Sequence, residues 1–225
     1  MKTQKSKQVL SEPLAEPLNG ATAARVEIRA GDGNLAIDRL AGGEPLLAGG
    51  SLQYLEKQGP PARSLELSGS QAHLILQGGG GQPWFRLPWA ACNGATEWQI
   101  HLNPTVSLEL TAHSDGGNLR LDLAGMEVTR VSADTGGGNM DVVLPGQAAR
   151  LHVTAKTGAG NVTAHIPGGV AARIHAVTGL GKAIIDPRFS QTGKDTYASP
   201  DFDRADHQAE LTLSSGAGNV IVDTL

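Results

Sequence analysis

The sequence predicts an all-β fold, a β-solenoid or stacked-strand rack of about six two-stranded rungs of about 21 residues each, interrupted by two irregular insertions. Three observations predict it. Thirty glycines against eight aromatic residues favour many tight turns and small stacked side chains over a core of large rings. Apolar and polar residues alternate with a period of two, the signature of half-buried strands. Finally, one segment recurs six times without a gap.

The copies are RVEIRAGDGNLAID from Arg25, ELTAHSDGGNLRLD from Glu109, RVSADTGGGNMDVV from Arg130, HVTAKTGAGNVTAH from His152, RIHAVTGLGKAIID from Arg173 and ELTLSSGAGNVIVD from Glu210. Four of them follow one another at 21, 22 and 21 residues, room for two short strands and two turns. Before the turn, Val26, Leu110, Val131, Val153, Ile174 and Leu211 form one inward column, and Ile28, Ala112, Ala133, Ala155, Ala176 and Leu213 form a second. Polar residues such as Arg25, Glu109, His152 and Glu210 alternate with them and point outward. After the turn Leu35, Leu119, Met140, Val162, Ala183 and Val220 resume the inward pattern. A unit this small cannot bury its own face, so each copy is expected to stack on the next one in the chain. Alanine in the middle copies predicts a thin interior with bulkier ends.

The turn carries the most regular columns. Gly33, Gly117, Gly138, Gly160, Gly181 and Gly218 each precede the corner position, which is Asn34, Asn118, Asn139, Asn161 and Asn219, with Lys182 in the fifth copy. Glycine reaches positive φ without steric cost, so a sharp corner repeated six times is expected to use it. The position four before the asparagine is Ala30, Ser114, Thr135, Thr157, Thr178 or Ser215, small and mostly hydroxylic, suited to capping a turn. The asparagines are placed to form a side-chain amide ladder between rungs.

Outside the copies the pattern is less regular. Residues 1–22, with Pro13 and Pro17 among polar residues, read as a flexible tail, leaving residues 23–225 as a single domain. Insertions cover about 38–105 and 188–208. The first contains strand-like alternation at 51–57, 64–77 and 96–104 and a loop holding Trp84, Phe85 and Trp89. The second carries Phe189, Tyr197 and Phe202.

Several function classes fit the residues poorly. A net charge of −4 with scattered Lys and Arg gives no basic stripe for nucleic acid. The lone Cys92 makes neither an internal disulfide nor a zinc motif. TGLGKAI at 178–184 lacks the glycine spacing, the hydroxyl residue and the helix of a phosphate loop. The turn carboxylates are only Asp32 and Asp115, too few for repeated calcium sites. Asp38, Asp122, Asp186 and Asp223 share one outer column, but Val143 and His165 interrupt it, and it reads as a solvated face. The histidines show no two-His metal spacing. No apolar leader follows Met1 and no stretch spans a bilayer, so the chain as written reads as cytoplasmic, or as envelope or extracellular if a leader was removed.

The stretch NGATEWQIHLNPTVSLELTAHSDGGNLRLDLAGMEVTRVSADTGGGNMDVVLP (93–145), followed by TGAGNVTAHIP and TGLGKAIID, resembles the toast-rack family over residues 23–225. That family, a domain of unknown function, is related to the C-terminal domain of LiaF-type proteins, which respond to cell-wall-active antibiotics. The resemblance implies a β-stranded rack without enzymatic activity. LiaF-type relatives act as accessory or inhibitory partners of a membrane sensor kinase, anchored by N-terminal transmembrane helices, and the sequence as written reads as having no such helix.

The expectation is therefore a scaffold with no cofactor and no metal, working through a protein partner or self-association. The alternative is a carbohydrate-binding or adhesin-like β-helix using Trp84, Phe85 and Trp89 as its platform.

Overall fold

The computed structural model describes residues 8–43, 45–78 and 96–225, and these form two facing sheets with the core between them. The chain begins with β1 (Val9–Pro17), β2 (Ala23–Arg29), β3 (Asn34–Arg39) and β4 (Leu46–Leu55). A 3₁₀ turn, Glu56–Gln58, leads to β5 (Ala62–Ser68), β6 (Gln71–Gln77), β7 (Glu97–Leu102), β8 (Ser107–Ser114) and β9 (Leu119–Asp122). Then come β10 (Val128–Thr135), β11 (Met140–Val143), β12 (Arg150–Ala159), β13 (Val162–Ile166), β14 (Ala171–Thr178) and β15 (Ala183–Ile185). Last are β16 (Ser190–Gly193), β17 (Thr196–Ala198), a 3₁₀ turn at Phe202–Arg204, β18 (Gln208–Ala217) and β19 (Val220–Thr224).

Each of the six copies is one rung, its first strand in one sheet and its second in the other. One sheet runs β1-β4-β7-β3-β9-β11-β13-β19-β15 and the other β16-β17-β14-β18-β12-β10-β8-β2-β6-β5. Within the stack all neighbours are parallel and paired column on column, as in Val131↔Val153 and Met140↔Val162. The first insertion supplies a seventh rung, β6 with β7, which lies parallel to β2 and β3. Its two strands end at Gln77 and begin again at Glu97, a separation in sequence far longer than at the other corners, which is why alignment on the turn does not find it.

Two expectations are corrected. The copies do not stack in chain order at the C-terminal end, because the sixth, β18–β19, lies between the fourth and fifth. Leu213 therefore belongs to the second-last rung, not to an end. The other correction concerns residues 1–22. Val9–Pro17 is a strand antiparallel to β4 with Leu14 buried. Pro13 and Pro17 are compatible with it because β1 is an edge strand, where a missing N–H need not break a ladder. Arg63 on β5 pairs with Glu12 and donates to the Pro13 carbonyl at 3.0 Å, tying the edges of both sheets together.

The core is filled by the expected columns. At the β6–β7 end the large side chains Leu74, Leu76, Trp98, Ile100 and Leu102 are all at most 1% exposed. In the middle the smaller Ala112, Ala133, Ala155 and Ala164 are buried at inward positions. The EWQIHLNP stretch has a structural explanation throughout: Trp98, Ile100 and Leu102 face the core, and Trp98 Nε1 donates to the Gln53 carbonyl at 2.9 Å. Asn103 Nδ2 donates to the Leu46 carbonyl at 2.8 Å. At the opposite end the second insertion folds as the β16–β17 hairpin against β14, with Phe189 and Phe202 buried.

The corner glycines are required for a reason other than the expected one at most positions. Only Gly160 (φ +132°) and Gly218 (φ +154°) have positive φ among the six. What all six share is close stacking: a Cβ on Gly117, Gly138, Gly181 or Gly218 would lie 2.0 Å from the carbonyl oxygen of the glycine in the adjacent rung. Gly138→Ala is expected to cost about 1–3 kcal/mol, lowering Tm by about 2–4 °C per kcal/mol. Gly137 has open space around its Cβ direction and no positive φ, so Gly137→Ala should leave Tm unchanged or slightly raised when both variants are melted side by side.

Candidate functional site

The corner carries a polar contact that repeats from rung to rung. The Oδ1 of Asn34 accepts the backbone N–H of Asn118 at 2.9 Å, and Asn118 accepts that of Asn139 at 3.0 Å. Asn139 accepts from Asn161 at 2.9 Å, Asn161 from Asn219 at 2.8 Å, and Asn219 from Lys182 at 3.0 Å. The ladder thus joins side chain to main chain, not amide to amide, and it follows the stacking order. Lys182 stands where no further rung has an amide to receive, so losing the asparagine there breaks no bond.

A second ladder runs beside it. Ser114 Oγ donates to the Gly33 carbonyl at 2.8 Å, and Thr135 and Thr157 to Gly117 and Gly138 at 2.8 Å. Ser215 reaches Gly160 at 2.7 Å and Thr178 reaches Gly218 at 3.0 Å. Ala30, the hydroxyl-free exception, has a physical reason. The β6–β7 rung presents Glu97 at the asparagine position, so the Asn34 N–H turns to the Thr96 carbonyl at 2.8 Å, taking the acceptor a hydroxyl would have used.

The outer faces pair charges across rungs. Arg25 meets Glu109 at 3.1 Å. Five histidines lie against carboxylates: His73 with Glu27, His101 with Asp38, His113 with Asp115 and Asp134, His152 with Glu210, and His165 with Asp141 and Asp223. These pairs were not legible by offset along the chain, because His152–Glu210 and His165–Asp223 depend on the sixth copy lying beside the fourth. His165 is held at both ring nitrogens, Nδ1 at 2.5 Å from Asp223 and Nε2 at 3.1 Å from Asp141, with Arg120 and Leu225 lining the same hollow. Partial burial alone would lower its pKa. The hydrogen bonds and charges of Asp141 and Asp223 outweigh that and leave it above the ordinary 6.5.

A groove of about 500 Å³ opens near the β6–β7 end, lined among others by Asp32, Gln53, Tyr54, Gln58, His113 and Asp134. Trp84, Phe85 and Trp89 lie outside the described residues, so the structure does not place the proposed aromatic platform. Among the described residues no three His, Cys, Asp or Glu side chains gather in a form that holds a metal ion. Among them, too, no helix is long and apolar enough to cross a membrane.

The ladders yield two expectations. Asn139→Ala leaves the Asn161 N–H without its acceptor and should cost about 1–3 kcal/mol in urea unfolding. Because the folded-state pKa of His165 is raised, the Asp141–His165–Asp223 contact contributes fully below pH 6.5 and its contribution is lost as pH rises through the raised value. Wild type should therefore lose more stability than His165→Gln when melting is followed upward from about pH 6. Parallel pH profiles would contradict the assignment.

A crystal structure from Clostridium sporogenes ATCC 15579, provisionally named a cell adhesion protein, superposes with a TM-score of 0.86 at 21% identity, covering 97% of this chain and all of that one. It shows a shared fold. A structure from Bacteroides fragilis NCTC 9343, provisionally named an adhesin, aligns over 97% of this chain and 98% of that one at 12% identity, but its TM-score of 0.32 carries no argument. No protein of curated function matches the sequence. Residues 2–165 match the model of the N-terminal domain of toast-rack, a domain of unknown function (DUF2154), and the chain belongs to that family.

Proposed function

We propose that the protein is a non-enzymatic scaffold that acts by binding another protein. The observation that carries this reading is how the polar side chains are used. Asparagines, hydroxyls and five histidines are engaged in bonds between rungs, where they hold the rack in register. A general base or nucleophile needs its reactive atom directed at a substrate. Here the histidines are directed at neighbouring carboxylates on open strand faces. A stack of parallel strands is instead suited to presenting long surfaces and sheet edges.

The provisional cell-adhesion name of the Clostridium sporogenes protein is compatible with the same reading. A second reading, glycan binding, is favoured by the groove lined by Gln53, Tyr54, Gln58 and Asp134, whose polar groups match sugar hydroxyls. The two separate experimentally. Immobilised protein incubated with envelope fractions is expected to retain a protein partner at stoichiometric yield, while a glycan array stays blank. Specific array signal abolished by Tyr54→Ala, with no protein retained, would reverse the order.

A further inference from the structure

Three of the four ends of the two sheets are closed in the same way. β4 lies antiparallel on β7, β5 on β6 and β17 on β14, each ending the parallel stack with a strand of opposite direction. The fourth end is β15, which pairs with β19 on one side and is the last strand of its sheet. The Val220 N–H donates to the Lys182 carbonyl and the Asp186 N–H to the Val222 carbonyl. By alternation along a strand, the N–H and C=O groups of Ala183 and Ile185 face away from the sheet.

Three side chains of this rung are apolar and exposed, two of them at positions where no other copy has a large apolar residue. At the position two before the asparagine, the other copies carry Asp32, Gly116, Gly137, Ala159 and Ala217, and this one carries Leu180, 79% exposed. Five before it stand Arg29, His113, Asp134, Lys156 and Ser214, against Val177, 39% exposed. Two after it stand Ala36, Arg120, Asp141, Thr163 and Ile221, against Ile184, 51% exposed. Val177 lies on β14 in the other sheet, but Leu180 and Ile184, apolar and in water beside or on the open strand, run against the usual protection of such edges and mark a pairing surface.

Resting on the protein-binding reading above, we propose that β15 receives an extended segment of a partner protein as an added antiparallel strand, with apolar side chains against Leu180 and Ile184 and an acidic one opposite Lys182. Antiparallel addition is how this molecule closes its other sheet ends, and strand addition is a common mode of peptide recognition. Lys182, exposed at the start of the edge, sets the charge of its partner.

The strand order argues against a second copy as the occupant. The other sheet continues past β14 by two strands, β17 and β16, while this sheet stops at β15. A two-fold axis pairing β15 with itself keeps both copies' longer sheets on one side, where β17 and β16 of each copy would occupy the space needed by β14 of the other. A single strand has no such conflict.

The test uses the full chain and a displayed library of ten-residue peptides with glutamate fixed near the centre and random flanks. Wild type is expected to select binders with alternating apolar residues, and their binding should protect the Ala183 and Ile185 amides from hydrogen exchange. Lys182→Glu should weaken those binders by about tenfold, and replacing their glutamate with lysine should restore binding. Ile184→Ser, at an exposed position that leaves the fold intact, should also weaken them. No selected binder, binders indifferent to both substitutions, or concentration-dependent dimers abolished by Ile184→Ser would each overturn the proposal. If a protein retained from envelope fractions still binds both variants, the edge is wrong while the protein-binding reading stands; if wild type retains none, that reading fails first.

Discussion

The structure depends on the bond from each corner asparagine to the backbone of the next rung. In a parallel stack, main-chain pairing along the strands is repeated at every rung, but at the corner the chain turns away and the ladder would lapse. Asn34, Asn118, Asn139, Asn161 and Asn219 carry it across that gap with their side chains. The serine and threonine hydroxyls do the same for the glycine carbonyls. Neither set can reach unless the corners nest closely, and close nesting leaves no volume for a Cβ, which is why the glycine column accompanies both. The three columns are one constraint seen in three residue types.

Where a column breaks, a neighbouring break compensates. Ala30 lacks a hydroxyl where Glu97 replaces an asparagine, and a single backbone bond from Asn34 to Thr96 serves in place of both. Lys182 replaces the asparagine in the one copy that ends the ladder. Stacking in parallel also makes the outer faces into rows of equivalent positions 4.7–4.9 Å apart in an ordinary sheet. On such rows a histidine is always next to its column neighbours, so a carboxylate in the adjacent rung can pair with it across the stack.

Much of this was legible in the residues. The six copies, both inward columns, the glycine and asparagine columns and the alanine interior follow from periodicity alone, because each depends only on local backbone geometry. The seventh rung was hidden because its two strands lie far apart in sequence and share no corner motif, although Leu74, Leu76, Trp98 and Ile100 show the right alternation. The strand Val9–Pro17 was hidden by its prolines, which an edge position accommodates. The stacking order was hidden for a more general reason. Copies with interchangeable columns pair equally well in any sequence, so periodicity cannot tell which lies beside which, and the His152 and His165 pairs were lost with it.

One residue did encode that order. A rung without the corner asparagine interrupts the ladder wherever it is placed except at the end, so Lys182 assigns the fifth copy to the terminal position. The sixth copy must then lie inside it, and the chain has to leave the stack after β15, form the β16–β17 hairpin and return. This gives the last strands an importance that their position in the sequence does not suggest. Within the parallel stack, β14 and β15 are joined to the rest only through β18 and β19. Residues 208–224 are therefore the support of two rungs, and the terminal edge, with its exposed apolar side chains, is completed only when the C-terminal end of the chain is in place. Such long-range closure is the slow step expected of a high-contact-order fold, and it couples the formation of that edge to completion of the stack.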